Sequence, residues 1–170
     1  MVSLKLPALA AQYIKLGVVP NDSVIAKSWG ELTTTELYSI MKLRTDVFFV
    51  EQKVDEEELD NRDQEEATRH YWIADEHDVV AYIRVLFNET AEHLDGHRVI
   101  GRVVVREDYR GKGLAQIIMK RILEDFGHEG MLLHAQEYIV PLYAKFGFEA
   151  FGELYDEATI MHQSMYRAGR

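Results

Sequence analysis

An α/β domain built on a mixed central sheet is the fold class this sequence predicts, on three observations. Residues 100–126 read as strand, glycine turn and helix: Val103, Val104 and Val105 form a β-branched run, and Leu114, Ile117, Ile118, Ile122 and Phe126 recur with helical spacing. A second apolar run, Met131-Leu132-Leu133-His134-Ala135, follows that helix at once, and a strand reached through a right-handed helical crossover lies parallel to the first. Alternating runs at residues 70–75 and 79–87 form a β-hairpin, which makes the sheet mixed.

Length and composition bound the rest. The 170 residues, 47% hydrophobic and 28% charged, suit one domain that buries a core, with residues 1–22 as an N-terminal extension and residues 23–170 as the domain proper. Cysteine is absent, which excludes disulfides, thiolate metal sites and a cysteine nucleophile. No apolar stretch is long enough to span a bilayer, and Lys5, Pro7, Gln12 and Lys15 interrupt any signal-peptide core, so a cytoplasmic protein is expected. A net charge of −10 argues against nucleic acid or an anionic membrane as partner and favours a cationic small molecule or a basic peptide. A homodimer is compatible with the sequence.

Residues 24–28 predict a first strand. Thr33 and Glu36 then have capping-box spacing, and the helix they open carries Leu37, Ile40, Met41, Val47 and Phe48 on one face, with Arg44 among them. An arginine there needs a partner, either a structural carboxylate or a ligand. Ser39, Lys42, Thr45 and Asp46 are expected to face water. Residues 51–66 hold nine acidic residues against Lys53 and Arg62, most of them expected to form a solvated face. No calcium-loop pattern occurs there, and His93 and His97 flank Gly96 in a polar loop, so no metal site is expected. Beyond the central helix, Pro141 and Gly147 bracket a short helix bearing Tyr143, and strands at residues 148–154 and 159–166 close the chain.

The chemistry is concentrated at Arg110-Gly111-Lys112-Gly113. Two glycines between a strand and a helix let the backbone turn tightly and a ligand approach the main chain, while the unpaired first amides of the helix and its dipole favour an anion such as a pyrophosphate. Arg106, Arg110, Lys112 and Lys120 add positive charge. A dinucleotide fingerprint fails at Gln116, and no Lys-Ser or Lys-Thr pair completes a P-loop.

The pattern Arg110-x-x-Gly113-x-Ala115 in this setting resembles the acetyl-coenzyme A signature of the GNAT superfamily of N-acetyltransferases. Leu43-Arg44-x-x-Val47-Phe48-x-Val50-Glu51-Gln52, Asp60-x-x-Asp63, His70, Ile100-Gly101-Arg102-Val103-Val104, Ala135-Gln136, Tyr143-x-x-x-Gly147-Phe148 and His162 extend the resemblance to its ElaA subfamily over roughly residues 29–167. Where that subfamily shows Gly-Ile-Pro-His, this chain has Thr159-Ile160-Met161-His162. The resemblance implies a single GNAT-type domain whose two central parallel strands splay apart around the pantetheine arm of acetyl-CoA. It implies coenzyme contacts from Arg102, Val103, Val104, Val105, Arg110, Gly111, Lys112, Gly113, Leu114 and Ala115, and Tyr143 as the acid that protonates the departing thiolate.

Acetyl transfer needs a neutral amine held against the thioester carbonyl, an N–H donor at the developing oxyanion, an acid and a base. Main-chain amides of residues 102–105 suit the oxyanion donor, particularly at a bulge. Glu51, Asp60, Asp63, His70, His134 and His162 are the candidates for base; for His134 a hydrogen-bonded core histidine is the alternative. His70 and Asp60 are assigned to catalysis with Tyr143, and Arg44, Glu51, Asp63, Gln136 and His162 to the acceptor site. The function expected is acetyl-CoA-dependent transfer to a primary amine in a ternary complex. A non-catalytic acyl-CoA-binding sensor is the alternative, and would keep the phosphate cradle without needing an acid or base.

Overall fold

In the computed structural model, which describes residues 23–170, seven strands form one sheet. They are β1 (Ile25–Lys27), β2 (Arg69–Ala74), β3 (Val79–Phe87), β4 (Arg98–Val105), β5 (Met131–Gln136), β6 (Glu149–Glu157) and β7 (Ile160–Arg167), in the order β1-β2-β3-β4-β5-β7-β6. Only β4 and β5 run parallel. The expected extension, residues 1–22, lies outside the described residues.

Helix α1 (Thr34–Arg44) begins as its sequence directs: the Thr33 hydroxyl accepts from the Glu36 amide at 3.2 Å, and the Glu36 carboxylate accepts from the Thr33 amide at 2.9 Å. It continues into a π-helical turn, Thr45–Glu51. Ile40, Leu43 and Val47 pack on Trp72, Tyr82 and Val104, so α1 covers one face of β2–β4. Ser39, expected at the surface, is buried because its hydroxyl donates to Asp78 and accepts from the Val79 amide, tying α1 to the start of β3.

Helix α2 (Leu114–Phe126) covers the opposite face with Leu114, Ile118, Met119 and Ile122, none more than 2% exposed. Burying each such side chain stabilises the fold by about 1.5–3 kcal/mol. The same core takes Leu133 and Ala135 of β5, Met165 of β7, and Tyr143 of α3 (Val140–Ala144). Because strand side chains alternate, His134 and Gln136 project to the α1 side. There α1 does not reach β5, β7 and β6; the loop 88–97 covers part of that face instead, with His93 stacked on Phe151 at 3.9 Å between centroids.

Candidate active site

The parallel pairing of β4 with β5 stops after three residues, Arg98 with Met131, Val99 with Leu132 and Ile100 with Leu133. Beyond it the strands part, and the edge of β4 that faces β5 has no strand partner from Gly101 to Val105. On its other edge β4 carries a bulge: Tyr82 pairs with Val104 and Arg84 with Gly101, so Arg102 and Val103 together oppose Ile83. Arg102 adopts φ +53, a left-handed conformation that costs a non-glycine residue about 1–2 kcal/mol. Bulges re-aim backbone groups, and this one lies beside the parting of the strands.

At the far end of β4 the chain makes the turn Glu107–Tyr109 and enters α2 through Gly111 (φ +73) and Gly113 (φ +77). A Cβ at Gly111 would meet nothing within 4 Å, and one at Gly113 would meet only the Gln116 amide oxygen at 3.9 Å, so the main chain lies open to a ligand here. No side chain caps α2, which leaves its first amides available to an anion. Tyr109 stiffens the turn: its hydroxyl donates to Asp75 at 3.0 Å, and Arg106 and Lys112 lie over its ring. Arg110 donates from Nε to the Val105 carbonyl and, through both terminal nitrogens, to Glu51 at 2.7 Å each. That pairing holds the Glu51 carboxyl below its ordinary pKa.

Across the wedge, Gln52 accepts a hydrogen bond from the Gln136 amide at 3.4 Å. Residues 51 and 52 therefore reach both walls, Arg110 after β4 and Gln136 at the end of β5. Tyr143 packs in the core that α2 covers, its ring against Phe148 and 5% exposed, and its hydroxyl has no hydrogen-bond partner among the described residues. Burial raises its pKa, so the hydroxyl keeps its proton until a stronger base is set against it.

Much of the acidic segment is spent on arginines. Arg44, with no exposed side chain, pairs with Glu58 and with Asp63 at 2.7 Å; Arg84 pairs with Asp60 at 2.6 Å and Asp63 at 3.1 Å; Arg102 pairs with Glu58 at 2.7 Å and Asp60 at 3.5 Å. Burial opposes ionisation of Asp60 and Asp63, but the Arg84 and Arg44 guanidiniums outweigh it, and Asp60 is held at about 2. His70 has no exposed surface; Nδ1 lies 2.7 Å from the Tyr82 hydroxyl and Nε2 3.0 Å from the Asp63 carbonyl, so Nε2 carries the proton and Nδ1 accepts from tyrosine. Burial lowers its pKa and keeps the ring neutral.

A wedge between parallel strands with an open glycine turn at its mouth is the arrangement that the GNAT resemblance implies. The model of the acetyltransferase (GNAT) domain family matches residues 35–168, most of the chain. The chain belongs to the GNAT family. Among its GNAT relatives, Escherichia coli ElaA is 36% identical over 143 residues, 81% of this chain and 90% of that protein. A UPF0039 protein of Mycobacterium tuberculosis is 34% identical over 142 residues, 82% of this chain and 88% of the relative. The crystal structure of a Pseudomonas aeruginosa acyl-CoA N-acyltransferase superposes with a TM-score of 0.77 at 36% identity, covering 85% of this chain and 98% of that one. That of E. coli ElaA gives 0.76 at 31% identity, over 85% and 97%. These relationships support acyl transfer from an acyl-CoA donor as the general activity.

Among the coenzyme positions expected from the GNAT signature, Gly111, Lys112, Gly113, Leu114 and Ala115 line the turn and first residues of α2, and Val103, Val104 and Val105 form the free stretch of β4. Arg102 turns its side chain to Glu58 and Asp60. Of the acceptor positions, Gln136 and Glu51 stand at the wedge, Arg44 and Asp63 lie in the buried ion network, and His162 stacks on Tyr155 at 5.9 Å with Nδ1 on the Ile160 carbonyl. Sequence reasoning missed Arg84 and Tyr155. A lone arginine in the nine-residue run VVAYIRVLF was a signal for the first; Tyr155 gave none. Among the described residues no group of acidic or histidine side chains is arranged to hold a metal ion, and no helix is long and apolar enough to cross a membrane.

Proposed function

We propose that the protein transfers an acetyl group from acetyl-CoA to a primary amine of a small cationic molecule or basic peptide, by direct attack in a ternary complex. The observation that carries this reading is the wedge between β4 and β5 with the open turn at residues 111–115 at its mouth; the buried Tyr143, with no hydrogen-bond partner among the described residues, is the acid the reading assigns to it. Acetyl-CoA supplies the acyl group already activated as a thioester. The amides of residues 111–115 bind its pyrophosphate, and the free edge of β4 gives hydrogen bonds to its amide-bearing arm. An N–H of β4 beside the bulge polarises the thioester carbonyl, and the Tyr143 hydroxyl gives its proton to the sulfur as the carbon–sulfur bond breaks. Exposed Asp55, Glu56 and Glu57, which no arginine neutralises, add to the negative field that draws a cationic acceptor.

The test is release of free coenzyme A thiol from acetyl-CoA in the presence of a panel of primary amines and lysine-rich peptides. The chain has no cysteine, so a thiol reagent reads the product alone. Thiol release that depends on an amine is expected. Tight acetyl-CoA binding with no release for any acceptor would instead favour a non-catalytic sensor.

A further inference from the structure

His134 is the first residue of β5 beyond its pairing with β4, so it stands where the wedge opens. It projects to the face that α1 leaves uncovered, and its Nδ1 lies 2.7 Å from the Tyr155 hydroxyl and 3.1 Å from Ser164 Oγ. Its Nε2 lies 3.4 Å from a Glu92 carboxylate oxygen. A carboxylate can only accept, so Nε2 carries the proton in the neutral ring and Nδ1 is the acceptor that faces Tyr155. Tyr155 reaches this position from β6 by lying over β7, with its ring stacked on His162. A chain of hydroxyl, imidazole and carboxylate thus runs from Tyr155 through His134, at the parting of the strands, to Glu92, whose side chain is 49% exposed.

We infer that Tyr155, His134 and Glu92 form the relay that deprotonates the acceptor ammonium before it attacks the thioester. The ammonium N–H bond breaks as a new O–H bond forms at Tyr155, while the original Tyr155 proton passes to His134 Nδ1. The imidazolium then faces Glu92, from which its proton exchanges with solvent. The relay rests on the N-acyltransferase reading but uses none of the coenzyme-binding groups. Apart from His134 itself, the titratable groups that face the relay are Glu92 from the loop before β4, Tyr155 and Glu157 from β6 and, behind Tyr155, His162 from β7.

Two measurements on the full chain test this. Nitrogen-15 NMR of the histidine rings at pH 8 is expected to show His134 protonated at Nε2 and bare at Nδ1; a protonated Nδ1 would overturn the relay, because no proton could then arrive from Tyr155. With 2-phenylethylamine as the probe acceptor, Tyr155→Phe and His134→Gln are expected to lower kcat about a hundredfold. Both should also flatten the acid limb of the kcat/KM profile, which a merely structural role would not do. A wild-type profile for Tyr155→Phe would likewise overturn the proposal. Calorimetry with coenzyme A separates the two failures: the relay variants should bind it as the wild type does, whereas a wild type that does not bind it would sink the acyltransferase reading.

Discussion

Glu51 and Arg110, 59 positions apart in the chain, face each other through two hydrogen bonds of 2.7 Å beside the glycine turn. Both side chains are 41% exposed, so the pair itself is worth no more than about 1 kcal/mol. Its electrostatic effect on an anion is of the opposite sign, since the Glu51 carboxylate occupies Arg110, a cation that flanks the turn. Glu51→Gln is therefore expected to tighten coenzyme A binding, by no more than about fivefold in keeping with that small energy. Calorimetry at low and high salt checks it, and the gain should shrink as salt rises.

Gly113→Asp should have the reverse and larger effect. Position 113 has φ +77, which an aspartate adopts only with strain, and the new carboxylate would project into the open side of the turn. Coenzyme A affinity is expected to fall by at least about a hundredfold, because the new carboxylate repels the pyrophosphate and occupies its side of the turn. The backbone strain should appear separately, as a loss of about 1–2 kcal/mol in unfolding free energy without ligand. Wild-type affinity would remove the turn from the binding site.

Tyr143→Phe leaves the buried ring and its contact with Phe148 in place and removes only the unpartnered hydroxyl. Turnover should drop by about 10²- to 10⁴-fold, the usual cost of losing a general acid, while coenzyme A affinity stays near the wild-type value. Undiminished turnover would make the tyrosine a packing residue.

What could be read from the chain beforehand was what lies close together in it. The Thr33–Glu36 capping box, the strand, turn and helix at residues 100–126 and the Pro141 start of α3 all depend on neighbours a few positions apart. The insertion of β7 between β5 and β6 depends on long-range pairing that no local pattern encodes. The same limit hid the fate of the acidic run. Arg44 announced its need for a carboxylate, but the second buried cation, Arg84, lies 24 positions after Asp60 and 21 after Asp63. Read without Arg84, those two carboxylates looked free to meet a substrate.

Asp63 should accordingly behave as a structural residue. It touches two buried guanidiniums, and removing its charge leaves both under-compensated. Asp63→Asn is expected to destabilise the fold by about 3–5 kcal/mol, the usual cost of breaking a buried ion pair from one side. The double variant Glu56→Gln, Glu57→Gln, at exposed positions, should fall within about 0.5 kcal/mol of wild type. Urea unfolding compares them directly. If the double variant also raises KM for a basic peptide at low salt and Asp63→Asn does not, acceptor steering resides in the exposed carboxylates.

His70 gives the fold a pH dependence whose sign follows from its surroundings. The ring is fully buried, donates from Nε2 to the Asp63 carbonyl and accepts from Tyr82 at Nδ1, and desolvation lowers its pKa in the folded state. The unfolded chain, with an ordinary value near 6.5, therefore binds a proton that the folded chain resists. Stability from this residue is fully present above about pH 6.5 and is lost progressively as pH falls toward the lowered folded value. Asp60 and Asp63, also held low, add their own loss only at more acid pH, below about 4. Wild-type unfolding free energy should thus already decline between pH 7 and pH 5. His70→Gln, which keeps a hydrogen-bonding side chain but cannot titrate, should be less stable at pH 7.5 and show a shallower slope over that interval. An equal slope in the two proteins would mean that His70 takes up protons alike in the folded and unfolded states, and its burial as a neutral ring would have to be abandoned.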